Sequence, residues 1–453
     1  MENIKNKYVA PKEFYSKVSA IAIPLALQSV LSSCMGIVDS LMVSWIGMVS
    51  AVGTATQIES IANVVAFGTV CGTGIFCAQY FGAKDEKNLK RSFGLSLVLS
   101  LIVSVIFFCI STFGGQGILK FYLDDPDVIL YGGKYLNIMK YSFLPSMLAF
   151  CFNYVYRTIH KAKLSLIITS ISMGTNVILN YLLIFGKFGF PEMGVEGAAL
   201  ATVIAQCTGL VIHIIYAVKT KQPFFGKFNE MFNFDMAFVS KVMKRIIPMI
   251  FNELLFGLGN TLFIKAFGTL GKDSMDAYYV AIKISDIFFF VIMGLSNANT
   301  VITGNALGSG DIEKAKNDGN YFIGIAAVLA AIMSVAIIIF AKPMVMLFNL
   351  QDPKVFMTAV KIVRVFSLKI SLRLFIVIVF GALRAGGDSK VLTLLDSGIL
   401  WTVGLPAAFL CVHVFKLTDI ALVFIIIQIE QLVRMILGLI RYKSYKWAVN
   451  LTR

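Results

Sequence analysis

The sequence predicts an all-α protein that spans a membrane many times, with twelve transmembrane helices in two homologous lobes of six. Three observations predict this fold class. Apolar residues make up 58% of the chain and charged residues 14%, whereas about 25% of the residues in soluble domains are charged. Twelve apolar stretches reach the length of a membrane span, about 20 residues. The second half of the chain also repeats landmarks of the first half.

The repeat consists of six landmarks that occur in the same order in both halves, at an offset that drifts only from about 224 to about 227 residues. Such a duplication is typical of transporters with alternating access. Six helices return the chain to its starting side, so we expect parallel repeats: an N-lobe at 1–219, a cytoplasmic linker at 220–238 and a C-lobe at 239–453. The paired landmarks are Pro24 and Pro248, Gly47 and Gly271, Gly82 and Gly308, Asp125 and Asp352, Arg157 and Arg384, and Lys163 and Lys390.

The helices are separated by clusters of Gly, Asp and Pro, for example at 82–85 and 308–311. Glycine allows positive φ where a helix must stop, and aspartate can cap the helix that follows. The apolar runs lack the period-two alternation of strands. We therefore expect helices at 16–46, 52–81, 92–114, 130–156, 162–186, 194–218, 240–270, 275–306, 318–341, 357–383, 390–414 and 417–441.

The loops between these helices alternate in charge. Roughly 25 Lys and Arg residues lie in one alternating set of loops and roughly seven in the other. By the positive-inside rule, the chain is expected to be a multi-pass protein of the cell membrane with both termini in the cytoplasm. The net charge of +15 is spread over short loops. Because no basic soluble domain is present, a nucleic-acid partner is not expected.

No pattern of residues indicates an enzyme. The seven cysteines lie in apolar runs without the spacing of metal ligands, and neither a phosphate-binding glycine loop nor a nucleophile–base pair is found. We therefore expect no catalytic residues and no cofactor. An ion gradient, of H⁺ or Na⁺, is the expected energy source.

One acid in the first apolar run has no basic residue within a turn or two. A charge at membrane depth costs about 2.5–3.5 kcal/mol, so Asp39 is expected to bind a proton or Na⁺. Asn176 and Asn180 share one face of the fifth helix, and Thr202 follows on the sixth. Their oxygens are suited to complete a Na⁺ shell, with Asp39 as the metal ligand, or to hydrogen-bond the protonated acid. The alternative is hydrogen bonding between helices without any cargo.

The first helix of each half contains a proline near its start. Pro24 and Pro248 each remove one backbone hydrogen bond and favour a kink. They are candidate hinges, and the alternative is a tolerated kink without function.

The second half carries more charge at membrane depth. Two pairs, Lys283–Asp286 and Glu430–Arg434, have the spacing of salt bridges within a helix. The tenth helix carries bases but no acid, so its bases must face a water-filled cavity or meet acids of neighbouring helices. Such a cavity suits an anionic or zwitterionic cargo. Its candidate lining residues are Glu253, Lys283, Asp286, Lys369, Arg373 and Glu430, and Asp396 is a further candidate partner.

Four segments resemble the multidrug and toxic compound extrusion (MATE) family, and the resemblance covers nearly the whole chain. The first helix of that family resembles Val-Asp39-Ser-Leu-Met-Val-Ser-Trp-Ile-Gly47, and the end of its second helix resembles Gln79-Tyr-Phe-Gly-Ala83. Its fifth and sixth helices resemble the stretch from Asn180 to Thr202. The loop after its tenth helix resembles Ala382-Leu-Arg-Ala-Gly-Gly-Asp388.

The resemblance implies two six-helix lobes around a central cleft, and export of drugs or amphipathic small molecules in exchange for H⁺ or Na⁺. It also implies a protein that works as a monomer among membrane lipids. Cation-site positions of the family match Asp39, Asn176 and Thr202, whereas many members have a second Asp where this chain has Asn180. Another branch has an essential acid in the seventh helix, near Glu253 but in a different register. A flippase or exporter of an anionic lipid-linked metabolite is the alternative.

Overall fold

The computed structural model describes residues 8–122, 126–348, 350 and 352–452, and these ranges form helices and short connections without strands. Twelve long helices follow one another, and their ends lie within a few residues of the predicted limits in most cases. We label them α1 Lys12–Ser44, α2 Val49–Gly82, α3 Glu86–Cys109 continued by Ile110–Gly114 and Gly115–Tyr122, α4 Pro126–Met139 continued by Lys140–Ser142 and Phe143–Thr158, α5 Ala162–Phe185, α6 Gly194–Lys219, α7 Met236–Gly268, α8 Lys272–Gly308, α9 Ile312–Met346, α10 Pro353–Ala385, α11 Ser389–Val414 and α12 Ile420–Lys443.

Ten of these twelve helices are long and apolar enough to cross a membrane within the described ranges; the other two are α4 and α10. A 3₁₀ turn at Lys140–Ser142 divides α4. Basic residues run along α10, yet many of its side chains are buried. The chain is therefore an all-α polytopic membrane protein, as predicted.

The chain divides into two compact units. One, the N unit, is Leu27–Ile250; the other, the C unit, is Met1–Ala26 together with Phe251–Arg453. The helices α1 and α7 each pass from one unit to the other, and the change comes two residues after Pro24 and Pro248. Both helices remain continuous through their prolines. The lobe boundaries at 1–219 and 239–453 describe the sequence repeat and stay a prediction.

Each unit has its own packing centre. In the N unit, α2 packs against α3 and α4, and α5 packs against α6. In the C unit, α10 packs against α8, α9 and α12. Because α10 packs against three other helices, its apolar side chains are buried on several sides. This burial stabilises the helix despite its many basic residues.

The aspartates at the duplicated loops cap the next helix, as expected from their position. The N–H of Asn88 donates to Asp85 Oδ1 at 3.1 Å at the start of α3, and the N–H of Lys314 donates to Asp311 Oδ1 at 2.9 Å at the start of α9. Asp388 makes a different contact, since it accepts a hydrogen bond from Arg441 Nε at 2.7 Å. Asp125, another landmark of the repeat, lies outside the described residues.

Helix α11 contains three π-helical segments, at Leu394–Gly398, Leu400–Gly404 and Leu410–Val414. Pro406 has no N–H to donate within this helix, which weakens the regular α-helical ladder. π-Helical turns often occur at functional positions. Here the first of them carries Asp396.

The linker at 220–238 packs in part against α3. A short helix, Phe228–Phe232, lies within it, and Phe224 and Met231 are buried. A Cβ added at Gly94 of α3 would lie 2.0 Å from the Met231 carbonyl oxygen, so this contact requires glycine. An exposed ion pair with Lys90 at 2.9 Å lowers the pKa of Glu230, chiefly through the hydrogen bond.

Candidate functional site

The acid singled out in the first helix lies against the predicted amides. Asp39 is partly buried in the N unit, and Asn180 Nδ2 of α5 donates to its Oδ1 at 2.6 Å. Asn176, one turn earlier, places its side-chain amide 3.0 Å from the same carboxyl oxygen. Thr202 of α6 lies 3.1 Å from Asn176. The structure thus brings together all four residues predicted for cation coupling.

Two orientations of the Asn176 amide close this network. With its nitrogen towards Asp39, Asn176 donates to Asp39 Oδ1 at 3.0 Å, and its oxygen accepts from the Thr202 hydroxyl at 3.1 Å and the Thr202 N–H at 3.2 Å. With its oxygen towards Asp39, Asn176 accepts from Asn180 Nδ2 at 3.0 Å and donates to Thr202 Oγ1 at 3.1 Å. An amide is assigned from its partners, and the orientation with the nitrogen towards Asp39 gives both ends of the Asn176 amide a complementary partner.

These residues line a cavity of about 590 Å³ that belongs wholly to the N unit. A second carboxylate, Glu59 of α2, lines the same cavity, and the described lining residues include no Lys, Arg or His. The cavity wall is otherwise made of amides, hydroxyls and apolar side chains, among them Asn63, Tyr135, Met139 and Gln206. Such a mixture of apolar surface and a few polar groups is typical of small-molecule sites.

Glu59 is not among the site residues predicted from the sequence. A signal for it exists, because polar residues recur along one face of α2 at Thr56, Glu59, Ser60 and Asn63, with the spacing of successive helical turns. In an otherwise apolar helix such a stripe indicates a surface that faces polar groups or a cavity.

The C unit has a cavity of its own, of about 350 Å³. Four of the six residues predicted for it line this cavity: Asp286, Lys369, Arg373 and Glu430. Aromatic rings face the basic groups. Lys369 Nζ lies 4.9 Å from the ring centre of Phe366, within the range of a cation–π contact.

The other two predicted residues lie elsewhere. Glu253 is on α7 and Lys283 on α8, but neither is among the described lining residues of this cavity. The expected salt bridge between Lys283 and Asp286 is wrong, because no ion pair within 4.0 Å joins them among the described side chains. Lys283 is exposed instead.

A network of buried charges lies beside the C-unit cavity. Arg434 of α12 is fully buried and donates to Asp396 Oδ1 at 2.7 Å, to the Asp396 carbonyl oxygen at 2.9 Å and to Glu430. Asn252 Nδ2 donates to Asp396 Oδ2 at 3.1 Å, and Arg373 lies 3.9 Å from Asp396 Oδ1. The predicted pair Glu430–Arg434 is thereby confirmed. Arg434 also contacts Asp396 of α11, and the spacing of residues along α12 alone does not predict this contact between two helices.

The comparisons with known proteins agree with the duplicated architecture. A family model described as MatE matches residues 24–182 and again 248–410. Both matches begin at a proline landmark of the repeat. The chain belongs to the MatE family. This confirms the resemblance seen in the sequence, and MatE membership accounts for both halves of the chain.

Curated MatE relatives cover nearly the full length. The chain is 27% identical to the uncharacterized transporter YisQ of Bacillus subtilis, over 94% of this chain and 93% of the relative. It is 24% identical to the probable multidrug resistance protein NorM of Thermotoga maritima, over 91% of this chain and 89% of the relative.

Solved structures share the fold. An outward-facing multidrug resistance MATE family transporter of the MOP superfamily has a TM-score of 0.86 at 18% identity, covering 98% of this chain and 99% of that one. A MOP superfamily transporter from Pyrococcus furiosus, described as having a binding pocket of reverse polarity, has a TM-score of 0.83 at 18% identity, with the same coverage.

Proposed function

We propose that this chain is a secondary active antiporter that exports drugs or amphipathic small molecules in exchange for H⁺ or Na⁺. It needs no cofactor, works as a monomer in the cell membrane and has both termini in the cytoplasm. Membership of the MatE family and the names of the multidrug resistance relatives support this function. The single observation that carries it is Asp39, an acid at membrane depth that contacts neutral amides in a cavity.

Asp39 is the coupling carboxylate in this proposal, and Asn176 is the group that responds to its charge. When Asp39 is ionised, the Asn176 nitrogen faces it and donates a hydrogen bond. When Asp39 is protonated, its O–H donates across the same 3.0 Å to the Asn176 oxygen, and the Asn176 nitrogen turns to Thr202. Asn176 has a partner at each end of its amide in both charge states. In the ionised state the nitrogens of Asn176 and Asn180 lie 3.0 Å apart and both donate towards Asp39.

The network favours a proton over Na⁺ as the coupling ion. Sodium requires oxygen ligands, whereas Asn180 presents an amide nitrogen to Asp39 at 2.6 Å. Binding of Na⁺ at Asp39 would require Asn180 to turn its amide, with loss of this hydrogen bond.

The prolines serve as hinges in this proposal. The passage of α1 and α7 from one compact unit to the other comes two residues after Pro24 and Pro248. A proline leaves one backbone carbonyl without its helical donor, so the helix bends there at lower cost. Repacking of α1 around Asp39 would then change the volume of the N-unit cavity and displace the substrate.

The C-unit cavity has a secondary role in this proposal, with Asp286, Lys369, Arg373 and Glu430 as its charged lining. A flippase for an anionic metabolite is not favoured. Arg373 is 3.9 Å from an aspartate, and two acids share the cavity with the bases. Relatives named for multidrug resistance point to drug export instead.

The test uses purified protein in liposomes, with ethidium as the transported dye and an imposed gradient of H⁺ or of Na⁺. We expect a proton gradient to drive dye transport in the wild type. In Asp39→Asn the gradient-driven rate should fall by about 100-fold or more, because the asparagine cannot exchange the ion.

The matched control is Asp235→Asn. Asp235 caps the start of α7 outside the cavities by accepting from the N–H of Phe238 at 2.8 Å, and asparagine can do the same. This variant should transport at the wild-type rate. Transport by Asp39→Asn at the wild-type rate under either gradient would remove Asp39 from the coupling role.

A further inference from the structure

The wall of the C-unit cavity carries two charged side chains that the buried network beside it does not use. In that network both arginines pair with Asp396, at 2.7 and 3.9 Å, and one of them also contacts Glu430. Lys369 of α10 and Asp286 of α8 line the same cavity. Among the described side chains, neither takes part in an ion pair within 4.0 Å. The cavity therefore presents one positive and one negative group, each without a direct partner of opposite charge.

The ammonium group of Lys369 lies over aromatic rings instead of against a carboxylate. Its Nζ is 4.9 Å from the ring centre of Phe366 and 5.3 Å from that of Phe424. Cation–π contacts offset part of the cost of burying this charge, but they leave the N–H donors of the ammonium group unused. Lys369 is thus available to an anionic group that enters the cavity.

A second, independent feature of the same wall lies on α12. Gln428 is 5% exposed and lines the cavity, yet its Oε1 accepts no hydrogen bond from the described residues. The Oε1 of Gln431, on the same face one turn further along, also lacks a donor. The amide nitrogens of both donate elsewhere, to the Phe424 carbonyl oxygen at 2.8 Å and to Glu430 at 2.7 Å. Because buried polar atoms nearly always have a partner, these two oxygens indicate a ligand with N–H donors.

The rest of the wall suits an aromatic body. Phe and Tyr rings from α7, α8, α10 and α12 line the cavity, and its volume of about 350 Å³ suits a small ligand. The N-unit cavity, in contrast, has one aromatic residue, Tyr135, and no basic residue among its described lining. An aromatic ligand with a negative group is therefore expected to prefer the C unit.

We propose that the C-unit cavity binds an aromatic zwitterion of the amino-acid class, with its carboxylate on Lys369 and its ammonium group on Asp286. These two side chains interact electrostatically without forming an ion pair, which fits a ligand whose two charges are adjacent. A monoanion would leave Asp286 without a partner, and a monocation would leave Lys369 without one. The inference goes beyond the proposed function, because the coupling role of Asp39 assigns no ligand to this cavity.

The test measures the binding of three related molecules to the purified full-length protein by equilibrium dialysis, without any ion gradient. L-Tryptophan is an aromatic zwitterion, its methyl ester lacks the negative charge, and indole-3-propionate lacks the ammonium group. Each analogue loses one of the two charged contacts. We therefore expect the wild type to bind tryptophan about tenfold or more tightly than either analogue.

Two variants remove the charged contacts one at a time. Lys369→Met should weaken the binding of tryptophan and of indole-3-propionate by about tenfold and leave the ester unchanged. Asp286→Asn should weaken the binding of tryptophan and of the ester by about tenfold and leave indole-3-propionate unchanged. The matched controls are Lys361→Met on α10 and Asp276→Asn on α8. Both positions are exposed, so these variants should bind all three molecules as the wild type does.

The pattern across the three molecules separates a ligand contact from a general effect on the fold. The inference is overturned if the wild type binds tryptophan no more tightly than the two analogues. It is also overturned if Lys369→Met and Asp286→Asn each weaken all three molecules alike, or weaken none. Each of these outcomes leaves the coupling role of Asp39 untouched. Conversely, Asp39→Asn should bind tryptophan as the wild type does, so full coupling in that variant would refute the proposed role of Asp39 and keep this site.

Discussion

The two units of the chain each have an aspartate at membrane depth, and these two aspartates differ in the charge of their hydrogen-bond partners. In the N unit, the neighbours of Asp39 are the neutral amides of Asn176 and Asn180. In the C unit, Asp396 contacts the buried guanidinium of Arg434 at 2.7 Å. An acid among amides can gain or lose a proton because either state has partners. An acid against a buried arginine forms an ion pair, and removal of either partner leaves the other charge buried and unpaired.

The duplication allows equivalent hydrogen bonds in the two halves to be compared. Gln28 Nε2 donates to Thr169 Oγ1 at 2.8 Å in the N unit, and Asn252 Nδ2 donates to Asp396 Oδ2 at 3.1 Å in the C unit. The two contacts are related by the offset of the repeat, about 224 residues for the donors and about 227 for the acceptors. The same helix–helix hydrogen bond therefore exists in both halves. In the N half, Gln28 also accepts from Arg157 at 3.2 Å, and its own acceptor Thr169 is neutral. In the C half the acceptor is a charged aspartate that pairs with Arg434.

The largest effect is expected from breaking the charged network of the C unit. Arg434→Met removes the cation that contacts both Asp396 and Glu430, and Arg373 stays 3.9 Å from Asp396. The loss should destabilise the fold by about 3–5 kcal/mol. Neutralising both acids in the same chain, with Asp396→Asn and Glu430→Gln, should restore most of the loss. Thermal unfolding of the purified protein in detergent measures both effects.

Arg441→Met is the matched control for this measurement. Arg441 also pairs with an aspartate, Asp388, at 2.7 Å, but it is partly exposed to solvent. Exposed or half-exposed pairs contribute about 1 kcal/mol or less. Equal losses of stability in Arg434→Met and Arg441→Met would contradict the assignment of a structural role to the buried network.

The sequence predicts the helices well and the networks less well, for a physical reason. Membrane spans follow from local composition, so α5 and α6 end within one residue of their predicted limits. The cluster of Asp39 with two amides was also predictable, because lone polar groups in apolar helices must meet each other. The contact of Arg434 with Asp396 depends on which faces of α11 and α12 meet, and the π-helical turns of α11 alter those faces. The spacing of residues along one helix therefore does not predict the contact of Arg434 with Asp396.

Replacement of the two prolines is expected to slow dye transport to different extents. Pro24→Ala restores a backbone donor, makes bending of α1 more costly and should slow dye transport by about tenfold while equilibrium binding stays the same. Pro248→Ala should slow transport by less than about threefold, since Asn252, four residues further along α7, is already held by its hydrogen bond to Asp396. Transport in liposomes measures both rates. Equal slowing by the two variants would show that both units move, contrary to the comparison drawn above.

The smallest effect is expected from the hydroxyl that supports Asn176. Thr202→Val removes the acceptor that the Asn176 nitrogen uses when its oxygen faces a protonated Asp39. In the opposite orientation the Thr202 N–H remains as a donor at 3.2 Å, so the ionised state loses less. One hydrogen bond contributes about 0.5–1.5 kcal/mol, and 1.36 kcal/mol corresponds to one pH unit. The pH of half-maximal transport should therefore move downward by about half to one unit.

Thr208→Val on the same helix is the control for that shift. Thr208 is partly exposed and its hydroxyl donates to the Ile204 carbonyl oxygen of its own helix, at 2.8 Å, so its loss should leave the pH profile unchanged. The profile is measured as the initial rate of dye transport against external pH at a fixed pH difference. A shift upward in Thr202→Val would mean that Thr202 supports the ionised form of Asp39. The Asn176 amide would then not exchange its two orientations when Asp39 takes up a proton.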